Sequence, residues 1–278
     1  MVAIAHGHPP ANPSTHANSL TRREDYSHTG RYAIYYAPHH DSAWWRFGSA
    51  WLGRDAITNA AIARHVPPAL AASTPDVSYL ARITAAPRRY GFHATLKAPF
   101  RLKAGYTARD VYLQADDLAQ SLMAAALPPV QLCVIDGFVA LSFPREGSDG
   151  LLNVPAVNAL AAQCVSAFDN LRARPDAKEL ARRHAVGLTP RQGNLLAEWG
   201  YPYVFQEFRF HMTLTNHLSA NEQQSVIDAL APAIAELNAQ PLTLDALAIY
   251  YQAEPNAPFV VTRRYGFDGS VDIYRAEV

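Results

Sequence analysis

Two stretches of the chain repeat one phrase. Residues 90–100 read YGFHATLKAPF, and residues 208–218 read FRFHMTLTNHL. Each holds an aromatic residue followed by His, any residue, Thr and Leu: Phe92-His93-Ala94-Thr95-Leu96 and Phe210-His211-Met212-Thr213-Leu214. The chain has only 11 histidines in 278 residues, so two in one local context ask for a chemical reason. Imidazole is the side chain whose ordinary pKa lies nearest neutrality. A pair of imidazoles can therefore act as base and acid in one reaction. Threonine hydroxyls with a cationic neighbour can hold the non-bridging oxygens of a phosphoryl group and steady developing charge. Together these groups offer metal-free cleavage of a phosphodiester. One histidine takes a proton from water or a ribose hydroxyl, and the other protonates the leaving oxygen.

Such a pair works only if the fold brings the two phrases together. Both read as strands, whose side chains alternate between faces. Phe92, Ala94, Leu96 and Ala98 fall on one side of the first strand; Gly91, His93, Thr95 and Lys97 fall on the other. In the second, Phe210, Met212 and Leu214 oppose Arg209, His211, Thr213, Thr215 and His217. Each strand thus has an apolar side for a core. Its other side carries His and Thr roughly 6–7 Å apart along the strand. A lone His-x-Thr on a strand is ordinary packing; the repetition of the whole context makes a site of it. Around the kernels, Lys97 is either a phosphate ligand or a solvated strand-end lysine. Arg209 shares the His211 face. Tyr203, in WGYPYV, either stacks on a sugar or base or simply packs.

The remaining elements follow from pattern and punctuation. RYAIYYAP reads as a strand stopped by Pro38. A helix with Trp44, Phe47 and Trp51 on one face is capped by Asp41 or Ser42 and closed by Gly53. Residues 66–76, broken by three prolines, read as a loop. TARDVYLQADDLAQSLMAAA is a helix capped by Thr107, and VQLCVIDGFVALSF is strand bent at Gly137. Helical segments follow, with breaks near Gly187–Pro190 and Gly200–Pro202. After the second kernel, Ser219 and Glu222 have the capping-box spacing. LTLDALAIYYQ and PFVVTRRYGF close the chain as strands. Each kernel is followed by a helix and a strand, so the pattern predicts an α+β fold of two duplicated lobes.

Here the sequence resembles a known group. FHATL and FHMTL are similar to the paired H-x-[ST] motifs of the two-histidine (2H) phosphoesterase superfamily, across residues 30–278. YGFHATLKAPF and WGYPYVFQEFRFHMTLT resemble most the branch found in bacterial phosphonate-utilisation operons. The resemblance implies two antiparallel sheets flanking a central cleft, with helices outside and one motif per lobe. It implies His93 and His211 as the catalytic pair and Thr95 and Thr213 as phosphate binders. No cofactor or metal is implied. The expected reaction is the opening of a small cyclic phosphodiester, such as a phosphoribosyl 1,2-cyclic phosphate. Two other readings stand beside it: an enzyme of 2′,3′-cyclic or 2′,5′-linked RNA ends, and a non-catalytic nucleotide-binding module.

Composition bounds these readings. Apolar residues make up 49% and charged residues 17%, as in a globular protein. Zero formal net charge disfavours a protein that coats long nucleic acid. It leaves room for a small phosphorylated substrate, or for an RNA end at the local basic run Arg88, Arg89, Lys97, Arg101 and Lys103. No apolar run reaches the ~18 residues of a membrane span. Cys133 and Cys164 form no CxxC pair and read as buried free thiols, which suits a cytoplasmic protein. No obligate protein partner is implied. Residues 1–29 read as a flexible tail before a single bilobal domain over 30–278. The tail's His6, His8, His16 and His28 match no usual metal-ligand spacing.

Overall fold

In the computed structural model of the chain, residues 30–64, 67, 70, 77–146, 150–151, 154–175, 181 and 187–275 are described. The expected tail over 1–29 and most of the expected loop over 66–76 lie outside them. The elements begin with β1 (Arg31–Tyr36), α1 (Ala43–Leu52), α2 (Val77–Ile83), α3 (Ala85–Tyr90), β2 (Ala94–Phe100) and α4 (Ala108–Gln120). Next come β3 (Ala125–Ala126), β4 (Gln131–Ile135), β5 (Phe138–Ser142), β6 (Arg145–Glu146), β7 (Gly150–Leu151) and α5 (Pro155–Ala167). The chain continues through α6 (Pro190–Trp199), β8 (Met212–His217), α7 (Ala220–Leu237), β9 (Thr243–Leu244), β10 (Ala246–Gln252), β11 (Val260–Gly266) and β12 (Val271–Ile273).

The local chemistry accounts for these boundaries. Ser42 accepts a hydrogen bond from Trp45 N at 3.1 Å, and Gly53 closes α1 in the left-handed conformation. Thr107 with Asp110 and Ser219 with Glu222 form capping boxes for α4 and α7. Asp136 and Gly137, both at positive φ, turn β4 back onto β5. The helices α2 and α3 were not legible from pattern. They are short, and Pro87 with Gly91 broke the helical signal.

Eight strands form one antiparallel sheet in the order β12-β11-β10-β1-β2-β8-β5-β4. This corrects the expectation of two separate sheets. The two kernel strands pair with each other, Ala94 opposite Met212, and fuse the halves along one seam. The halves are not successive segments either. β10, β11 and β12 return from the end of the chain to flank β1, in the half that holds the first kernel. Strand β1 is buried along almost its whole length and needs a ladder on both edges. β2 fills one edge and β10 the other.

One face of the sheet packs the main core. Tyr32, Ile34 and Tyr36 meet Trp44 and Trp51 of α1, Val111 and Ala115 of α4, Leu160 of α5 and Leu230 of α7 within it. Phe92, Ala94, Leu96, Phe210, Met212 and Leu214 belong to the same cluster, as their alternation required. Burying such side chains stabilises the fold by roughly 1.5–3 kcal/mol for each large one. Across the seam, side chains reinforce the single strand pair. Trp51 Nε1 donates to Leu214 O at 2.8 Å. Asn216 accepts from Ala86 N at 2.8 Å and donates to Arg82 O at 2.7 Å. Among the described residues, no helix is long and apolar enough to cross a membrane. Cys164 is buried, whereas Cys133 is only partly so, and neither is in a disulfide.

Candidate active site

The first histidine is held by a chain of backbone contacts. Arg54 is 2% exposed. Its Nε and Nη2 donate to Arg88 O at 2.8 Å and Arg89 O at 3.0 Å, the last-turn carbonyls of α3. Gly91 then leaves the helix at φ 84, ψ 177, a conformation open in practice only to glycine. A Cβ there would lie 2.7 Å from Ala56 Cβ. This bend aims Gly91 O at His93 Nδ1, 2.9 Å away. A carbonyl only accepts, so Nδ1 carries the hydrogen and Nε2 is the basic nitrogen of the neutral ring. Nε2 lies 3.3 Å from Thr95 Oγ1. The ring stacks on Tyr35 of β1 at 3.8 Å between centroids.

The second histidine repeats the device. His211 Nδ1 lies 2.8 Å from Arg209 O, again the carbonyl two residues back. Its Nε2 is therefore also the nitrogen left for chemistry. The ring lies against Phe138, 5.8 Å between centroids. Ala94 stands opposite Met212, so each histidine immediately precedes the paired residue of its own strand. His93 feels the charge of His211.

On this face of the seam lies a cleft of about 500 Å³, within the usual range for small-molecule sites. His93, Thr95 and Thr213 line it, as do Arg31, Tyr35, Tyr90, Tyr203 and Phe138; His211 does not, although its ring lies against Phe138, which does. Among the described residues, His39, His40 and Asp41 at the start of α1 come close enough together to share a metal ion. None of these three lines the cleft.

The other residues singled out by pattern separate here. Lys97 does not share the His93 face. A bulge in β2 between Thr95 and Lys97 shifts the register and reverses the alternation. Ala98 takes the cleft position instead. Lys97 is 3% exposed; its Nζ donates to Val165 O at 2.8 Å and pairs with Asp169 at 3.4 Å. Burial pulls its pKa down to about 8. Arg209 has an exposed side chain and serves through its carbonyl. Tyr203 is 39% exposed on the cleft rim, edge-on to Tyr201 at 5.6 Å. His217 is exposed at the same rim. Thr215 lines the cleft but is almost fully buried, and Val139 N donates to its hydroxyl at 2.9 Å.

Pattern alone missed Arg31, Tyr35, Arg54 and Gly91. A signal existed for the first two, since Arg31, Ala33 and Tyr35 alternate along RYAIYY. Arg54 and Gly91 act through backbone carbonyls, which a side-chain pattern does not display.

Burial lowers the pKa of His93 to about 4, against a smaller opposing pull from the Gly91 carbonyl; the His211 and Arg54 charges push it further down. Burial also lowers His211; the Arg209 carbonyl and the Asp136 carboxylate oppose this in part, and the Arg209 charge adds to it. A phosphate anion in the cleft would favour charging both rings. The folded His93 titrates below its unfolded value of ~6.5. Its contribution to stability is therefore complete above that pH and is lost as pH falls toward about 4. Melting temperatures across this window should fall more steeply for the wild type than for His93→Gln. Parallel curves for the two proteins would refute the buried, neutral assignment.

The fold and cleft define a mixed α/β protein with paired imidazoles on one large antiparallel sheet. The chain belongs to the DUF1045 family, described as a protein of unknown function, whose profile matches residues 95–260. It is 38% identical over 243 residues to a protein of Janthinobacterium sp. (strain Marseille) named ribose 1,5-bisphosphate phosphokinase PhnN; the match covers 86% of this chain and 51% of that protein. A protein of Laribacter hongkongensis (strain HLHK9) with the same name is 34% identical over 236 residues, covering 84% of this chain and 51% of its own length. The chain thus spans about half the length of the curated relatives it matches.

Proposed function

We propose that the protein is a 2H-type phosphodiesterase that opens a small cyclic phosphodiester without a metal ion. The observation that carries this is the matched posture of the two histidines. Each has Nδ1 committed to the carbonyl two residues back and Nε2 left for a substrate, with a threonine from each kernel on the same cleft. In this reading His93 Nε2 removes a proton from water and the water oxygen bonds to phosphorus. The ring P–O bond breaks as its oxygen takes a proton from His211 Nε2. Thr95 and Thr213 donate to the non-bridging oxygens. The assignment of roles rests on surroundings. Burial above all, with smaller pushes from the His211 and Arg54 charges, keeps His93 neutral, as a base must be; burial lowers His211 too, but there the Arg209 carbonyl and Asp136 pull the other way.

The relatives' name speaks of a substrate with two phosphates on ribose, and the sequence resemblance to a phosphonate-operon branch points the same way. A phosphoribosyl 1,2-cyclic phosphate suits both. The kinase activity in that name has no support in this chain's motifs. Its three lysines follow Leu96, Leu102 and Ala177, so the Gly-Lys-Ser/Thr phosphate loop does not occur in this sequence. Withdrawal of Lys97 from the surface weakens the RNA-end reading, which leaned on a basic run.

The test is a panel of cyclic phosphates incubated with purified protein, with product position read by phosphorus NMR. Ring-opening of a mononucleoside or phosphoribosyl cyclic phosphate supports the proposal; no opening of any member overturns it. Rates that climb steeply with RNA length and collapse in salt would transfer the assignment to an RNA-end enzyme. The roles are tested with a p-nitrophenyl phosphodiester, whose leaving group needs no acid. It should restore His211→Ala much more than His93→Ala.

A further inference from the structure

Arg31 stands in the same cleft, away from the imidazoles. It shares a face of β1 with Tyr35, because β1 keeps a regular register against β10 from Arg31 opposite Gln252 to Tyr35 opposite Ala248. Tyr35 stacks on His93, so it marks the reacting end. Arg31 lies four residues away, ~13 Å along the strand, and its side chain lines the intervening space.

The guanidinium is fixed in place. Its Nε donates to Gln252 Oε1 at 2.8 Å. Gln252 is 1% exposed, and its own Nε2 donates to Ala257 O at 2.7 Å. That second bond settles which end of the amide meets the arginine. Phe259 lies beneath the guanidinium, 5.5 Å from ring centre to Cζ. With Nε committed, the fork can still present terminal N–H groups to an anion. Among the described residues no carboxylate forms an ion pair with Arg31. Tyr90, Pro99, Leu188 and Pro202 make the neighbouring walls largely apolar. A cation held against such walls is expensive until an anion meets it.

We infer that Arg31 is a second anion subsite, and that the substrate is a cyclic phosphodiester carrying a separate monoester phosphate. This rests on the cyclic phosphodiesterase reading and narrows its substrate. The ring phosphate sits at the two histidines, a sugar spans the cleft beside Tyr90 and Pro99, and the monoester phosphate meets the Arg31 fork.

The experiment measures kcat/KM for ribose 1,2-cyclic phosphate with and without its 5-phosphate, on wild type, Arg31→Met and Arg31→Lys. A charge-assisted bond of this kind predicts a wild-type preference of roughly 10–100-fold for the phosphorylated form. That preference should collapse toward one in Arg31→Met, mainly through KM, and be partly kept in Arg31→Lys. Equal rates for the two substrates on wild type, or an unchanged preference in Arg31→Met, would overturn the inference. If wild type opens neither compound, the phosphodiesterase reading fails. Calorimetric binding of ribose 5-phosphate then decides the subsite on its own. Binding lost in Arg31→Met and weakened in Arg31→Lys supports it, and equal binding by all three proteins refutes it. Melting curves of both variants identify any that are unfolded, and Arg31→Lys carries the comparison if Arg31→Met does not fold.

Discussion

Replacing His93 or His211 with alanine is expected to lower kcat by at least ~10²-fold in each case, the ordinary yield of a positioned acid or base. Neither change touches the main core, since the apolar partners of both strands face the other way, though His93→Ala removes the ring that stacks on buried Tyr35. The variants should therefore still fold, which their melting curves would show. Thr95→Val and Thr213→Val should lose less, because each removes one of several donors to the same phosphate. Chelation should leave wild-type activity in place, as the proposed acid and base are both imidazoles. Activity abolished by EDTA and restored by zinc or manganese would replace the two-histidine mechanism with metal-assisted hydrolysis.

A substitution outside the reacting groups should be almost as damaging. Gly91→Ala places a Cβ 2.7 Å from that of Ala56, at a backbone conformation that disfavours any side chain. The strain alone costs about 1–3 kcal/mol. Relief requires the peptide after Gly91 to rotate, and that peptide's carbonyl holds His93 Nδ1. The ring would lose its fixed tautomer and its aim. A displacement near 1 Å can cost ~10²-fold in rate. Gly91→Ala should thus lower both the melting temperature and kcat. A loss of stability with kcat unchanged would show that the carbonyl contact does not matter for the reaction.

The distribution of such groups explains what the sequence could and could not display. The kernels were legible because a strand writes its environment into alternate residues. Phe92, Leu96, Met212 and Leu214 lie in the core for that reason. Helix α7 was legible because Ser219 and Glu222 announce its start. Lys97 was misplaced because a bulge has no residue signature in ATLKAPF, yet one extra residue flips the side chain that follows it. The union of the halves into one sheet was hidden for another reason. Pairing of β2 with β8 joins strands more than a hundred positions apart, and nothing local specifies it. Arg54 looked like any arginine after a helix. Only the fold reveals that it satisfies the carbonyls of another helix.

The seam between the halves has a mechanical meaning. One strand pair joins them, helped by the core that both halves share and by side-chain bolts such as Trp51 to Leu214 and Asn216 to Ala86. The two imidazoles sit on opposite sides of that joint. Their separation is accordingly a gauge set by bolts that never meet a substrate. A change in Trp51 or Asn216 could widen or narrow the span between the reacting nitrogens while every reacting group stays in place.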